Sequence, residues 1–296
     1  MEVLSRALTM RRLVRCSGLR LGWPQQENTT ILGSIERRYP LVKSSQRRVA
    51  LFVCILLFVA PDAQGQVTDL TGRIFLHFNV INQAGSEEFR ETLPFTIYSE
   101  EASFESVHDI RRGGTIDAGG LIGLWRSLAV GATYTQLSKS DSTRVTGSVP
   151  HPLFFNDFRQ ITPETLALSH RERATHVHAA WFVPIVDRVE VALIGGLSFF
   201  HVTQGVIADV DLSETVAPFT RVNLDAIHTQ EQTATAVGAN IGVDVLYFIA
   251  DQIGAGAFVR YAGASADLPT QGGNVSISLG GVQAGAGIRV RLQLPR

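Results

Sequence analysis

Apolar residues alternate with small or polar residues along much of this chain, and the pattern is clearest over residues 233–262. In the first half of that stretch Val237, Ile241 and Tyr247 fall in the apolar set, whereas Asp244 falls in the opposite set. A period of two places alternate residues on opposite sides of a β-strand. The stretch therefore predicts two antiparallel strands, joined by a short turn at residues 250–252.

The same alternation recurs in six other segments, so we predict eight strands. They cover residues 72–82, 115–125, 128–137, 173–183, 189–203, the two runs within 233–262, and 275–294. Short connections near 126, 186–188 and 251 alternate with long loops over 84–113, 138–167, 204–231 and 266–274. Segments 95–98 and 102–107 of the first loop predict either an extracellular hairpin or two more membrane strands, which would make ten. Gly280-Gly281 is expected to form a bulge that resets the register of the last strand.

These strands predict an all-β fold, a closed antiparallel up-and-down transmembrane β-barrel. Tight turns on one rim and long loops on the other are typical of outer-membrane barrels, and strands of about 9–11 residues span a bilayer. A soluble sandwich or barrel is the alternative, but its apolar face would be a core of large residues. Here the bulky residues share the face that carries Tyr134, Trp181, Tyr247 and Tyr261, as an interfacial girdle requires.

The N-terminal segment differs in charge from the rest of the chain. Residues 1–50 contain ten Lys and Arg against three acidic residues, and the remainder contains 16 basic and 24 acidic residues. Arg47-Arg48 and the apolar run 49–60 predict a signal peptide over 45–65, cleaved before Gln66, with an uncleaved anchor as the alternative. Residues 66–296 are then expected to form the barrel domain, and residues 1–44 are expected to be a disordered extension or to lie upstream of the true translation start. Both cysteines, Cys16 and Cys54, precede the predicted cleavage site, so no disulfide is expected in the mature chain.

The chain resembles the small outer-membrane barrels of Gram-negative-type bacteria, the porin-like group with OmpA-type and OmpW-type domains. The resemblance is carried by Asp117–Leu128 with its Gly-Gly and Trp-Arg-Ser turn, by 192–200, and by the closing segment 280–291. It implies location in the bacterial outer membrane, contact with lipids and lipopolysaccharide, and insertion by the barrel assembly machinery. Such barrels usually end in an aromatic residue, whereas this chain ends Leu294-Pro295-Arg296. We expect no cofactor and no nucleic-acid partner.

Charged residues on the inward face form the candidate site. They are Arg73, Asp117, Glu172, Glu190, Asp244, Arg260, Arg289 and Arg291. Isolated buried charges are costly, and an eight-stranded barrel has little more room than its own side chains fill. We therefore expect these residues to form a network of ion pairs that largely plugs the lumen. The alternative is a narrow or gated pore, and the predicted role is structural or the passage of small solutes or hydrophobic compounds.

Histidines on the inward face raise the alternatives of metal binding and catalysis. His176 and His178 share a face with Glu172, but no third ligand at a defined spacing accompanies them, so we expect no metal. Ser169-His170 near a strand end is the candidate for a lipid-modifying barrel enzyme, although no third catalytic group is indicated. We expect the protein not to be an enzyme.

The long loops support a further alternative, a barrel that binds surfaces or acts in adhesion. Their aromatic residues are Phe95, Tyr98, Phe104, Phe154, Phe155, Phe158 and Phe219. Exposed aromatic side chains mark contact sites in many proteins, but they also pack one loop on another. The loops contain no motif that identifies a ligand.

Overall fold

The computed structural model describes residues 69–294, which form an all-β fold of eleven strands. The strands are β1 (Arg73–Ala84), β2 (Ser86–Ile97), β3 (Glu100–Arg111), β4 (Gly114–Trp125), β5 (Leu128–Pro150), β6 (Phe158–Gln160), β7 (Glu164–Val186), β8 (Val189–Glu214), β9 (Val222–Phe248), β10 (Ile253–Thr270) and β11 (Gly273–Gln293). Over these residues there is no helix of a length and apolarity that would cross a membrane.

Eight of the strands close a ring, so the predicted closed antiparallel barrel is confirmed. The ring runs β1, β4, β5, β7, β8, β9, β10, β11 and back to β1, and every pairing is antiparallel. The described chain has eleven strands in all rather than eight or ten, because β2, β3 and β6 add to the ring. The β2–β3 hairpin continues the β1–β4 hairpin past a break at Gly85, and β3 pairs with the far half of β5. The prediction of a hairpin outside the membrane is therefore closer to the structure than the prediction of two further membrane strands.

A band of apolar side chains surrounds the part of the barrel next to the short turns at 126–127, 187–188 and 249–252. We call this part the membrane band. Exposed aliphatic and aromatic side chains cover it on all eight ring strands. The four predicted girdle residues, Tyr134, Trp181, Tyr247 and Tyr261, all point outward. The apolar face therefore faces outward, as a lipid-facing surface requires.

Beyond the membrane band the strands continue into a projection, formed by residues 84–113, 137–172, 201–232 and 263–281. The prediction of long loops over most of these residues was wrong, since β5, β7, β8 and β9 extend through them. The physical reason is that the alternation reverses outside the bilayer. Phe89, Phe104 and Val145 point inward there, whereas the outward positions carry polar residues such as Arg90 and Glu105.

The predicted bulge at Gly280-Gly281 was also wrong. The register between β10 and β11 runs without a shift from Ile253 opposite Val290 to Thr270 opposite Gly273. Ile277 lies on the same inward face as residues of the membrane band, so side-chain parity is unchanged. What changes at the glycines is the chemistry of the lumen, from polar to apolar.

Several predictions fall outside the described residues. They concern the extension 1–44, the signal peptide 45–65, both cysteines and the terminal Pro295-Arg296. They stay predictions.

Candidate functional site in the barrel lumen

An apolar layer fills the lumen at the rim with the short turns. It contains Leu70, Phe75, Leu121, Ala129, Ala180, Phe182, Ala192, Leu246 and Phe248. The rings of Phe75 and Phe182 stack with their centroids 4.8 Å apart, although they belong to strands on different sides of the ring. This layer therefore separates the rim with the short turns from the charged residues at the centre of the lumen.

The centre of the charge network is a buried ion pair between Arg260 and Asp117. Arg260 Nη2 lies 2.8 Å from Asp117 Oδ2, and the two side chains are 3% and 1% exposed. Arg260 Nε also donates to Gln283 Oε1 at 2.9 Å, and Asn79 Nδ2 donates to Asp117 Oδ1 at 2.7 Å. Each charge is thus paired and also hydrogen-bonded to neutral groups, which is the condition under which buried charge is tolerated.

A second pair, Arg289 with Asp244, adjoins the first. Both guanidinium contacts are made, Nη2 to Oδ1 at 2.8 Å and Nε to Oδ2 at 3.1 Å, so the pairing is bidentate. Arg289 also donates to the carbonyl oxygen of the Asn79 side chain, which links the two pairs. A cavity of about 30 Å³ between them has room for two or three waters, since a water needs roughly 10–15 Å³.

The remaining predicted charges lie nearer the short turns or nearer the projection. Arg291 Nη1 lies 3.1 Å from Glu190 Oε1, and its guanidinium stacks over the Phe248 ring at 4.1 Å. Arg73 Nε is buried and has no hydrogen-bond partner within the described chain. Glu172 accepts the backbone N–H of Gly280 at 3.1 Å instead of an arginine. Six of the eight predicted residues therefore form three ion pairs within residues 69–294, and Arg73 and Glu172 do not join them.

Neutral polar residues complete the network, and the sequence reasoning did not single them out. Asn79, Gln83, Thr135 and Gln283 are buried, and Gln283 Nε2 donates to Gln83 Oε1 at 3.1 Å. Their signal was present in the sequence, because each lies at an inward position of an alternating strand. An amide among inward glycines and alanines marks a side chain that needs a partner in the lumen.

The two histidines weighed as an alternative metal site lie in the same polar layer but make different contacts. His176 Nδ1 is 2.7 Å from Ser198 Oγ, which also accepts a hydrogen bond from Asn240 Nδ2 at 3.0 Å. Neither His176 Nε2 nor His178 Nδ1 has a partner in the part of the chain that the structure describes. Residues 69–294 contain no group of three histidine, cysteine or acidic side chains arranged to hold a metal ion.

Ser169 and His170, the pair weighed under the alternative of an enzyme, do not contact each other. Ser169 Oγ lies 3.1 Å from Glu231 Oε1 on an exposed surface. His170 is buried and contacts Gln204 Oε1 through Nδ1 at 2.7 Å. Since the two side chains point to opposite faces of β7, they do not form a nucleophile and base pair.

Two apolar layers close the lumen above the charge network. The first contains Phe89, Ile110, Ala174, Phe200, Val202, Ala262, Ala266, Ile277 and Leu279. The second, near the free end of the projection, contains Leu93, Phe104, Val145, Val149, Ile161, Ile207 and Val222. Between them, Glu91 and His108 form a buried contact of 3.2 Å.

The outward apolar band and the inward charges define the class of protein. A closed antiparallel ring with this distribution is a transmembrane β-barrel of the outer-membrane type. No family model and no curated protein matches the sequence.

Among solved structures, similarity is found to outer-membrane barrels. The outer membrane protein OprG from Pseudomonas aeruginosa matches at 5% identity and a TM-score of 0.40, over 77% of this chain and 99% of OprG. The outer membrane protease OmpT from Escherichia coli matches at 7% identity and a TM-score of 0.41, over 77% and 99% of the two chains. The attachment invasion locus protein Ail of Yersinia pestis matches at 9% identity and a TM-score of 0.34, over 74% and 99%. Because these identities and TM-scores are low, the assignment to transmembrane β-barrels rests on the closed antiparallel ring and the outward apolar band of this chain.

Proposed function

We propose that the protein is exported through a cleaved leader at 45–65 and resides in the bacterial outer membrane. The supporting observation is the membrane band, whose exposed apolar side chains end at outward tyrosines such as Tyr134 and Tyr261. Fractionation of cells, together with heat-modifiable gel mobility of the extracted protein, tests this location. Recovery of folded protein from the soluble periplasm would overturn it.

We infer that the barrel is a structural component of this membrane and that its lumen does not conduct. This proposal is carried by two ion pairs, Asp117–Arg260 and Asp244–Arg289, which Asn79 links to each other. Both lie between apolar layers of the lumen. A permeating ion would have to displace both pairs from a site with room for only two or three waters. No catalytic step is part of the proposal.

Single-channel recording in planar bilayers tests the closed lumen. We expect no steady current from the folded wild-type barrel. Arg289→Ala removes the side chain that links Asp244 to Asn79. This variant is also expected to carry no steady current, because the apolar layers remain. A steady open state of the wild type would refute the closed lumen, and one seen only in Arg289→Ala would show that the charges alone form the barrier.

A second role, binding to surfaces outside the cell, is supported by a separate observation. The projection is a continuation of the barrel wall with its own apolar core, not a set of unstructured loops. A rigid support of this kind positions the connections at its end, which are where binding residues are commonly found. Labelling of intact cells at a cysteine introduced at Val216, an exposed residue of one such connection, tests whether this end is accessible from outside.

A further inference from the structure

An exposed apolar cluster lies at the free end of the projection, in the connection between β5 and β6 and at the start of β6. It consists of Leu153, Phe154, Phe155 and Phe158, which are 66%, 60%, 77% and 45% exposed. We call these four residues the aromatic tip. Large apolar side chains so exposed and contiguous usually mark a contact site.

Hydrogen bonds hold the connection that carries the aromatic tip in one shape. The backbone N–H of His151 donates to the carbonyl of Asp157 at 2.7 Å and closes the loop. The N–H of Asn156 donates to Glu100 Oε1 at 2.8 Å, which joins this connection to the β2–β3 hairpin. Because the backbone is already ordered, the tip loses little conformational freedom when it binds.

A buried arginine joins the same connection to the one between β8 and β9. Arg159 Nη2 lies 2.7 Å from Glu214 Oε1, and Arg159 Nη1 donates to the carbonyl of Phe219 at 2.9 Å. His151 Nε2 contacts the carbonyl of Pro218 at 3.1 Å. The apolar side chains therefore point into solvent from a cross-braced base, and they do not collapse onto the barrel.

Charge narrows the choice of what the aromatic tip contacts. The projection carries 17 acidic and eight basic residues. An acidic body of this kind is repelled by an anionic membrane and by a second copy of the same barrel. A surface without net charge is the one it can approach at close range.

Area narrows the choice further. With side chains of about 150–250 Å² each, the four exposed fractions amount to on the order of 500 Å². A stable protein interface needs about 800 Å² from each partner. The tip is therefore too small for a stable protein interface of its own, but its Phe and Leu side chains are of the kind that bury at the boundary between lipid headgroups and acyl chains.

We propose that the aromatic tip inserts into the surface of a zwitterionic phospholipid bilayer other than the one that the barrel spans. The proposal rests on the surface-binding role above and deepens it. Phe154 and Phe155 supply most of the inserted area, and the acidic projection selects against anionic lipid.

Flotation of the full-length barrel, held in nanodiscs, with phosphatidylcholine vesicles tests the proposal. Wild-type barrels are expected to float with these vesicles, and less with vesicles rich in phosphatidylglycerol. Phe154→Ser with Phe155→Ser is expected to lower the partition coefficient by about tenfold or more, as loss of two exposed aromatic side chains from lipid implies. Phe155→Leu is expected to change it by less than about threefold, because lipid needs an apolar side chain rather than a particular shape.

Four outcomes would overturn the proposal. They are absence of flotation with phosphatidylcholine, flotation unchanged by the double serine variant, preference for the anionic vesicles, and self-association of the barrels that the double variant abolishes. The last outcome would identify a second copy as the partner. Heat-modifiable mobility checks that each variant folds.

Labelling of intact cells separates the two proposals. A free end that is inaccessible on cells defeats surface binding, whereas an accessible end with no flotation defeats only the lipid contact.

Discussion

The buried pair Arg260–Asp117 and the exposed pair Arg90–Glu105 provide a direct comparison of burial at constant distance. Both pairs have a shortest nitrogen–oxygen separation of 2.8 Å. The side chains of the first are 3% and 1% exposed, whereas those of the second are 64% and 47% exposed. Removing one partner of a buried pair costs about 3–5 kcal/mol, because the remaining charge is left without compensation. An exposed pair contributes roughly 0–1 kcal/mol, because water and salt screen it.

Two double-mutant cycles measure the difference. Asp117→Asn and Arg260→Met form one cycle, and Glu105→Gln and Arg90→Met form the control cycle. The free energy of unfolding is measured by urea titration in lipid vesicles, with gel mobility as a second probe. We expect a coupling energy of about 2 kcal/mol or more in the lumen and at most about 1 kcal/mol outside. A lumen coupling no larger than the control value would refute the reasoning, since it would mean that water reaches Asp117 freely.

Three further predictions concern backbone packing, the seam above the membrane band, and the free end of the projection. Gly196→Ala places a Cβ 2.1 Å from a carbonyl oxygen of the next strand and should lower folding yield in vesicles, whereas Gly195→Ala, where the nearest atom is 3.9 Å away, should not. The β1–β11 pairing ends near Gly281, and above it Glu87 Oε1 accepts the Ser278 N–H at 2.7 Å. Glu87→Ala should therefore speed hydrogen exchange at Ser278 by about tenfold, and unchanged exchange would contradict this. Burial opposes ionisation of Glu214, but hydrogen bonds from an arginine and a tyrosine outweigh it and lower its pKa below 4.5. Its stabilising contribution is present above pH 4.5 and is lost as the pH falls through the lowered value. Amide protection in the aromatic tip, measured relative to the intrinsic exchange rate at each pH, should therefore fall there in the wild type and not in Glu214→Gln.

The sequence predicted the membrane half of this barrel well and the projection poorly, and one physical difference explains both results. Within the bilayer the large apolar side chains must face outward, so residues such as Ile241 and Tyr261 alternate clearly with glycines and charged residues on the inward face. Above the bilayer the bulky set turns inward while polar residues cover the outside. The alternation expected of a lipid-facing strand therefore predicts loops around Phe89 and Val145, although both residues lie in strands.

The identity of the charged lumen residues was predictable from parity, but their pairing was not. Asp244 and Arg260 occupy inward positions on neighbouring strands, which suggests that they act together. In the structure Asp244 pairs with Arg289 on β11, and Arg260 pairs with Asp117 on β4. Contacts across the lumen depend on strand tilt and stagger, which the sequence of a single strand does not determine.

The two halves of the barrel therefore owe their stability to different surroundings, although the strands are continuous. The membrane band holds the charge network beside one apolar layer in its lumen and depends on lipid to cover its outer face. The projection carries apolar layers inside, including Phe104 and Ile207, with polar residues outside, which is the arrangement of a soluble protein. The hairpin over 233–262 crosses the boundary between the two: Asp244 lies in the charge network, whereas Ala262 lies in the first apolar layer above it. Along this strand pair the charge network gives way to the first apolar layer of the projection at the level where the outward residues change from apolar to polar.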